Sequence, residues 1–218
     1  MEGSRLGSKD YWEEAYCEEI KNLDDFGDEG EVWFGEDVLE TMVEFTEDAV
    51  RSSFQDPTSA SFIDIGTGNG SFLHELARLG FSNLVGSDYS PLSIELCKKL
   101  AVKKGLGDIR FVVDDVLASK IEERFEVACD KGTFDAVGLA PDGLQKRLQY
   151  ITAVASCLEP DGLLIITSCN STKDELVEEF EATQLFQYLD HVKTYPTFSF
   201  GGQEGSRVAT VAFQRSKS

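Results

Sequence analysis

Three glycines at alternate positions, Gly66, Gly68 and Gly70, follow an apolar run that carries an acid, Asp64, in the stretch FIDIGTGNGS (62–71). A glycine turn between a strand and a helix lets backbone approach a ligand closely and aims the free helix N–H groups at it. A dinucleotide, a methyl donor or a bare phosphate could each sit over such a turn. Dinucleotides call for GxGxxG, with the pyrophosphate on the helix N-terminus. Here the run is GxGxG with Ser71 in the sixth position, a residue small enough to leave that case open. Asp64 weighs against it: an acid two residues before the first glycine would face a pyrophosphate's negative charge, yet suits a cation. S-adenosylmethionine carries a sulfonium, an ammonium and no phosphate. The plainer alternative is that Asp64 only hydrogen-bonds the turn.

More acids follow at the ends of apolar runs. Asp88, next to Tyr89, comes about 20 residues after the first glycine, where an acid grips ribose hydroxyls in either cofactor class. The run FVVDDV ends with Asp115, placed to accept from an adenine amino group while the Val116 amide meets the ring; Asp114 is read as facing solvent or capping. A fourth run ends at Asp130, in CDKGTFDAVG. The candidate donor-binding set is therefore Asp64, Gly66, Thr67, Gly68, Asn69, Gly70, Asp88, Tyr89, Asp115, Val116 and Asp130.

These acids need elements that gather them. From residue 61 strands and helices alternate. SFIDI, NLVGS, IRFVV, RFEVACD and GLLIITSCN read as strands. FLHELARLG, PLSIELCKKLAVKKG (opened by Ser90-Pro91) and LQKRLQYITAVASCL read as helices, with KGTFDAVGLAPDG as a loop. Such alternation predicts an α/β fold, a parallel sheet with helices on both faces. All four acids then collect at the carboxyl ends of the strands, where open α/β sheets bind ligands. After residue 173 comes a helix, DELVEEFEATQ. Two strands, YLDHVKTYPTFSF and GSRVATVAFQR, joined across GGQEG, then suggest an antiparallel hairpin at the sheet's edge.

Upstream, residues 36–53 have a helical apolar period. Tyr11, Trp12, Ala15 and Tyr16 predict a short amphipathic helix, and DEGEVWFG a loop. Two readings stand for these aromatics: an arm that anchors to the core, or a flap near 26–35 over the site. Residues 1–60 are expected to form an N-terminal arm and helix, and 61–218 the core, of one domain overall.

The totals limit what such a site can serve. The 218 residues carry 40 acids against 20 bases, a formal net charge of −20. That surface repels nucleic acid and anionic lipid and attracts a cationic protein. Five scattered cysteines without a CxxC pair and only two histidines give no disulfide framework and no metal-ligand pattern. No uncharged apolar run nears the roughly 20 residues of a membrane span, and the N-terminus lacks the apolar core of a signal peptide. The expectation is a cytoplasmic monomer without metal.

As a set, Asp64-x-Gly-x-Gly-x-Gly, Asp88, Asp115 and the loop beginning at Asp130 resemble the class I S-adenosylmethionine-dependent methyltransferases over residues 61–169. That resemblance implies a Rossmann-like fold whose seven-stranded, mostly parallel sheet has the order 3-2-1-4-5-7-6, the last strand antiparallel. YWEEAY, GDEGEVWFG, CDKGTFDA and SCNSTKDEL further resemble the lysine methyltransferases that modify eukaryotic translation elongation factor 1A, the methyltransferase-like protein 10 group with its fungal counterpart, elongation factor methyltransferase 4. This likeness runs from Tyr11 to Phe213.

The resemblance implies S-adenosylmethionine as cofactor, S-adenosylhomocysteine as product and elongation factor 1A as protein substrate. Asp130 and Asn170 become candidate catalytic residues. Trp33, Phe34, Lys131, Gly132 and Thr172 become candidate contacts to the acceptor lysine. Each has a plainer rival: Asp130 as a turn cap, Asn170 as a strand end, Lys131 as a structural or solvated charge. A small-molecule methyltransferase, a non-catalytic donor-binding subunit and, disfavoured by Asp64, a nicotinamide oxidoreductase remain as other readings of the same motifs.

Overall fold

A computed structural model of the chain describes residues 4–195, 197–200 and 203–217. Its two N-terminal helices are α1 (Lys9–Phe26) and α2 (Glu36–Ser53). The alternating part then runs β1 (Ser61–Ile65), α3 (Ser71–Arg78), β2 (Asn83–Asp88), α4 (Pro91–Lys104), β3 (Arg110–Val113), β4 (Phe125–Lys131), α5 (Thr133–Leu139), α6 (Gly143–Cys157), β5 (Leu158–Ser168) and α7 (Lys173–Ala182). It closes with β6 (Phe186–His191), β7 (Thr197–Phe200), β8 (Gln203–Ser206) and β9 (Ala209–Arg215).

Seven strands form one sheet in the order β3-β2-β1-β4-β5-β9-β6. The pairs from β3 to β5 are parallel, while β9 runs antiparallel to both of its neighbours. With β9 as the seventh strand of the sheet, this is the expected order. Alternation along the strands fills two separate cores. Phe62, Val127, Leu163 and Ile165 pack with Met42, Leu73 and Ile94 from α2, α3 and α4. Ile63, Ala128, Leu164 and Ile166 pack with Phe134, Tyr150 and Phe180 from α5, α6 and α7.

Local signals explain the element ends. Ser90 caps α4, its side chain accepting from Ser93 N–H, with Pro91 in the first turn. Thr172 and Glu175 form a reciprocal capping box at the start of α7.

Three expectations need correction. The N-terminal helix is 18 residues long rather than one short turn-pair, because the apolar stripe begun by Trp12 and Tyr16 continues through Ile20 and Leu23, which pack with Leu96 and Leu100 of α4. The loop expected at 131–143 holds α5. Gly132, in the left-handed conformation at φ 94°, turns the chain out of β4, and the helix starts at once. The closing strands are not joined directly: β6 stops at His191, and a separate two-stranded hairpin, β7 with β8, stands between it and β9. Residues 201 and 202 of GGQEG, with residues 1–3, 196 and 218, lie outside the described residues.

Candidate active site

The carboxyl ends of β1, β2, β3 and β4 open into a cavity of about 390 Å³. Its base is the glycine turn after β1 together with the ends of β2 and β4. The turn has three left-handed glycines, Gly66 (φ 69°), Gly68 (φ 61°) and Gly70 (φ 78°), a backbone path that other residues enter only with strain. Gly66 and Thr67 N–H both bond to Ser87 O, at 2.8 and 2.9 Å, which pins the turn to the end of β2. Asp64 is 3% exposed and faces the cavity. Burial pushes its carboxyl up to about 6, against the opposing pull of the Thr67 hydroxyl and the Lys131 charge. Asp88 is equally buried and accepts from Gly68 N–H (3.2 Å) and Ser90 N–H (2.9 Å). Burial raises it to about 6 as well.

At the far end of the cavity, Asp115 and Val116 line the wall, with Tyr89 beside them. Asp115 also accepts from Leu117 N–H (3.0 Å). Asp114, read from sequence as facing solvent or capping, caps no helix: it accepts from Lys120 N–H at 2.8 Å in the loop before β4 and lines the cavity too, while Asp115 caps the short 3-10 turn at Val116–Ala118.

The roof comes from residues 4–35. Trp12 packs edge-on to Trp33 with centroids 5.2 Å apart, and Trp12 stacks on Tyr16 at 6.1 Å. Two ties fasten the segment 27–35 to the base. Asn69 Nδ2 donates to Glu29 O (3.4 Å) and Glu31 O (3.2 Å), and Lys131 Nζ donates to Trp33 O (3.0 Å). Burial pushes the Lys131 ammonium below its ordinary value, opposed by Asp64 and Asp130. Gly132 makes room for the roof: a Cβ there would stand 2.9 Å from Trp33 Cδ1. A third contact, Ser4 N–H to Leu139 O at 2.9 Å, fixes the arm on α5.

Other expected site residues stand elsewhere. Asp130 is fully buried beneath the site and does not line the cavity. Its carboxylate accepts from Thr133 N–H and Phe134 N–H, both at 2.9 Å, and from the Tyr150 hydroxyl. Geometrically it is the cap of α5, the plainer of the two readings, and contact with donor or acceptor is corrected accordingly: strand alternation turns its side chain toward α6. Phe34 (φ 74°) turns away from the cavity to pack with Val38, Tyr195 and Val208, its ring 5.8 Å from Lys131 Nζ. Asn170 and Thr172 are exposed, and neither lines the cavity. Gly70 caps α3 from below, where a Cβ would press on Cys97 and Phe111.

Sequence reasoning missed Glu19 and Thr133, both of which line the cavity. Trp12, Tyr16 and Glu19 recur at helical spacing, so extending the predicted helix by one turn would have placed Glu19 on the same face.

A site of this kind can seat a cationic nucleoside. It offers buried carboxylates and a backbone cradle of left-handed glycines. Residues 58–210 match the family model for a methyltransferase domain. The chain is 42% identical to human EEF1A lysine methyltransferase 2, covering 97% of this chain and 87% of the human protein. It is 36% identical to protein-lysine N-methyltransferase efm4 of Schizosaccharomyces pombe, covering 97% and 94%. The chain belongs to this family of protein-lysine N-methyltransferases.

Members of this lysine methyltransferase family share their fold with more distant enzymes. The N-methyltransferase NodS of Bradyrhizobium japonicum, in complex with S-adenosylhomocysteine, superposes with a TM-score of 0.64 at 15% identity over 94% of this chain and 97% of that one. A Burkholderia thailandensis 1,6-didemethyltoxoflavin-N1-methyltransferase gives 0.62 at 20% identity, covering 93% and 87%. At such identities the likeness speaks for the fold alone. This methyltransferase therefore shares the class I sheet, and its cavity lies at the carboxyl ends of that sheet's strands.

Proposed function

We propose that this methyltransferase transfers the methyl group of S-adenosylmethionine to a lysine side chain of translation elongation factor 1A. The observation that carries the reading is the cavity itself: buried Asp64 and Asp88 flank a left-handed glycine turn, under an aromatic roof, in a chain whose relatives bear that activity in their names. When bound, the donor supplies an electrophilic methyl on a sulfonium.

The chain's own residues position the partners. Asp88 accepts from the ribose hydroxyls, Asp115 from the adenine amino group, and Asp64 faces the donor's positive charge. The lysyl chain reaches the donor past the edge of the roof, where Trp33 packs on Gly132 and Thr133 follows. Its amine must arrive without a proton, since free lysine titrates near ~10.4. The roof excludes water and so favours the neutral form. The amine lone pair forms the N–C bond as the C–S bond breaks toward sulfur, and the amine's extra proton then leaves to solvent. Positioning carries most of this reaction.

Lys131 holds the roof through the Trp33 carbonyl. Asp130 positions α5, and with it Thr133. Asn170 and Thr172, on the rim beyond β5, with Phe34 behind the roof, meet the acceptor's surface rather than the transferred methyl. No metal takes part. The enzyme acts as a cytoplasmic monomer on a protein, without nucleic acid or membrane; all five cysteines are free thiols, and no helix among the described residues is long and apolar enough to cross a membrane. Residues 1–60 and 61–218 work as one domain, supported by α2, which contributes Met42 and Val50 to the sheet's core.

The test is transfer of labelled methyl into a fractionated cytosolic extract, with Asp88→Ala as control, followed by hydrolysis of the labelled band. Methyl-lysine in elongation factor 1A is the expected product. Label in small molecules only would overturn the acceptor assignment.

A further inference from the structure

Glu19 has no part in the donor set read from sequence, yet its carboxylate lies in the wall of the same cavity. One oxygen, Oε1, accepts weakly from Glu31 N–H at 3.4 Å. The other, Oε2, is buried and has no hydrogen-bond partner among the described residues. Burial raises this carboxyl above its ordinary value, and the charges of Glu31 and Asp28 push in the same direction. A half-satisfied buried carboxylate is costly to keep.

The roof is shaped around that oxygen. Gly30 (φ 83°) passes so close that a Cβ would stand 2.6 Å from Glu19 Oε2. The neighbouring Glu31 bonds Glu19 through its N–H and Asn69 of the glycine turn through its C=O. Glu19 is thus linked to the glycine turn through the backbone of a single residue, Glu31. With adenine at Asp115 and ribose at Asp88, the β1 end receives the amino-acid end of the donor.

We propose that the Glu19 carboxylate accepts a hydrogen bond from the α-ammonium of the methyl donor, so that α1 reads the donor's amino-acid end together with Asp64 of β1. The assignment rests on the donor reading above. It makes Glu19 a binding residue of the roof, and it gives a reason for a carboxylate only half satisfied by the chain's own donors.

Binding measured by calorimetry tests it on the full-length protein. Two probes are compared: S-adenosylhomocysteine, and its analogue with hydrogen in place of the α-amino group. Glu19→Gln is expected to weaken S-adenosylhomocysteine by about 10- to 100-fold, the range for a lost charge-assisted hydrogen bond, and to leave the deaminated analogue within about twofold. Glu19→Asp, which keeps the charge but withdraws it by one methylene, should fall between. Equal losses for both probes would mean that Glu19 only shapes the roof, and no loss for either would mean that it touches no donor group; each overturns the inference. Failure of the wild-type protein to bind S-adenosylhomocysteine at all would instead remove the donor reading on which it stands.

Discussion

Gly66 and Thr133 are in such close contact that a single added carbon would separate them: a Cβ on Gly66 would lie 1.9 Å from Thr133 Oγ1. The same hydroxyl donates to Ile65 O at 2.8 Å. The glycine turn after β1 and the first residue of α5 after β4 are therefore one rigid corner, and the two most distinctive sequence motifs meet there.

Gly66→Ala should break that corner. A left-handed backbone with a side chain costs about 1–2 kcal/mol, and the clash with Thr133 adds to it. We expect a lower unfolding midpoint in urea and no measurable binding of S-adenosylhomocysteine. A variant that binds normally would show that the corner tolerates movement.

Asp130 supplies three hydrogen bonds to the start of α5 and to α6. Asp130→Ala strands the Thr133 and Phe134 N–H groups and the Tyr150 hydroxyl, each in a buried setting where loss of a partner costs about 1–3 kcal/mol. Stability and turnover should fall together. Tyr150→Phe, which removes one of the three bonds, should cost about 1 kcal/mol with turnover nearly retained. If Asp130→Ala kept its stability and lost only turnover, Asp130 would act directly on the reaction.

The buried acids give a pH dependence with a definite sign. Burial raises Asp64 and Asp88 to about 6 and Asp130 to about 7. Below about pH 4 these groups are protonated in both folded and unfolded chains. Between there and pH 7 the unfolded chain has released protons that the folded protein still holds. Their contribution to stability is thus greatest in acid and is lost as pH rises toward 7.

Donor binding runs the other way, because a cationic ligand favours ionised Asp64. Affinity should climb from pH 5 to 7 and level off above. Calorimetry across that range checks it, and a flat profile would mean that Asp64 stays neutral on binding.

With 20 more acids than bases, the enzyme should attract a basic acceptor, and salt screens such attraction. The Michaelis constant for elongation factor 1A should rise several-fold between 50 and 300 mM salt, while turnover at saturating acceptor changes little. A salt-insensitive constant would place recognition in short-range contacts instead.

Much of this site was legible in the sequence because its base is made of local signals. SFIDI is an apolar run stopped by a glycine turn, and its bounds match β1. Asp64 and Asp88 sit at strand ends, so the sheet's topology alone carries them to the cavity.

What could not be read depends on where side chains point. Asp130 also ends a strand, but alternation sends its carboxylate beneath the cavity, to cap a helix that Gly132 before it and Gly138 within it disguise as a loop. Thr172 looked like a wall of the site and proved to be the cap of α7. Glu19 carried no motif, since a single acid in a helix rich in acids shows nothing until the flap is folded over it.

The roof has an optical consequence. Trp12 and Trp33 are the only tryptophans among the 218 residues, and both belong to the segment that covers the cavity, ring against ring. Of the 18 residues of α1 only Tyr16 is buried, so this segment opens at lower free energy than the sheet beneath it. Intrinsic tryptophan emission from the unmodified protein is therefore silent about the seven-stranded core. In the folded protein it reports the surroundings of the cover, and stopped-flow mixing with ligand can follow any change there without a label.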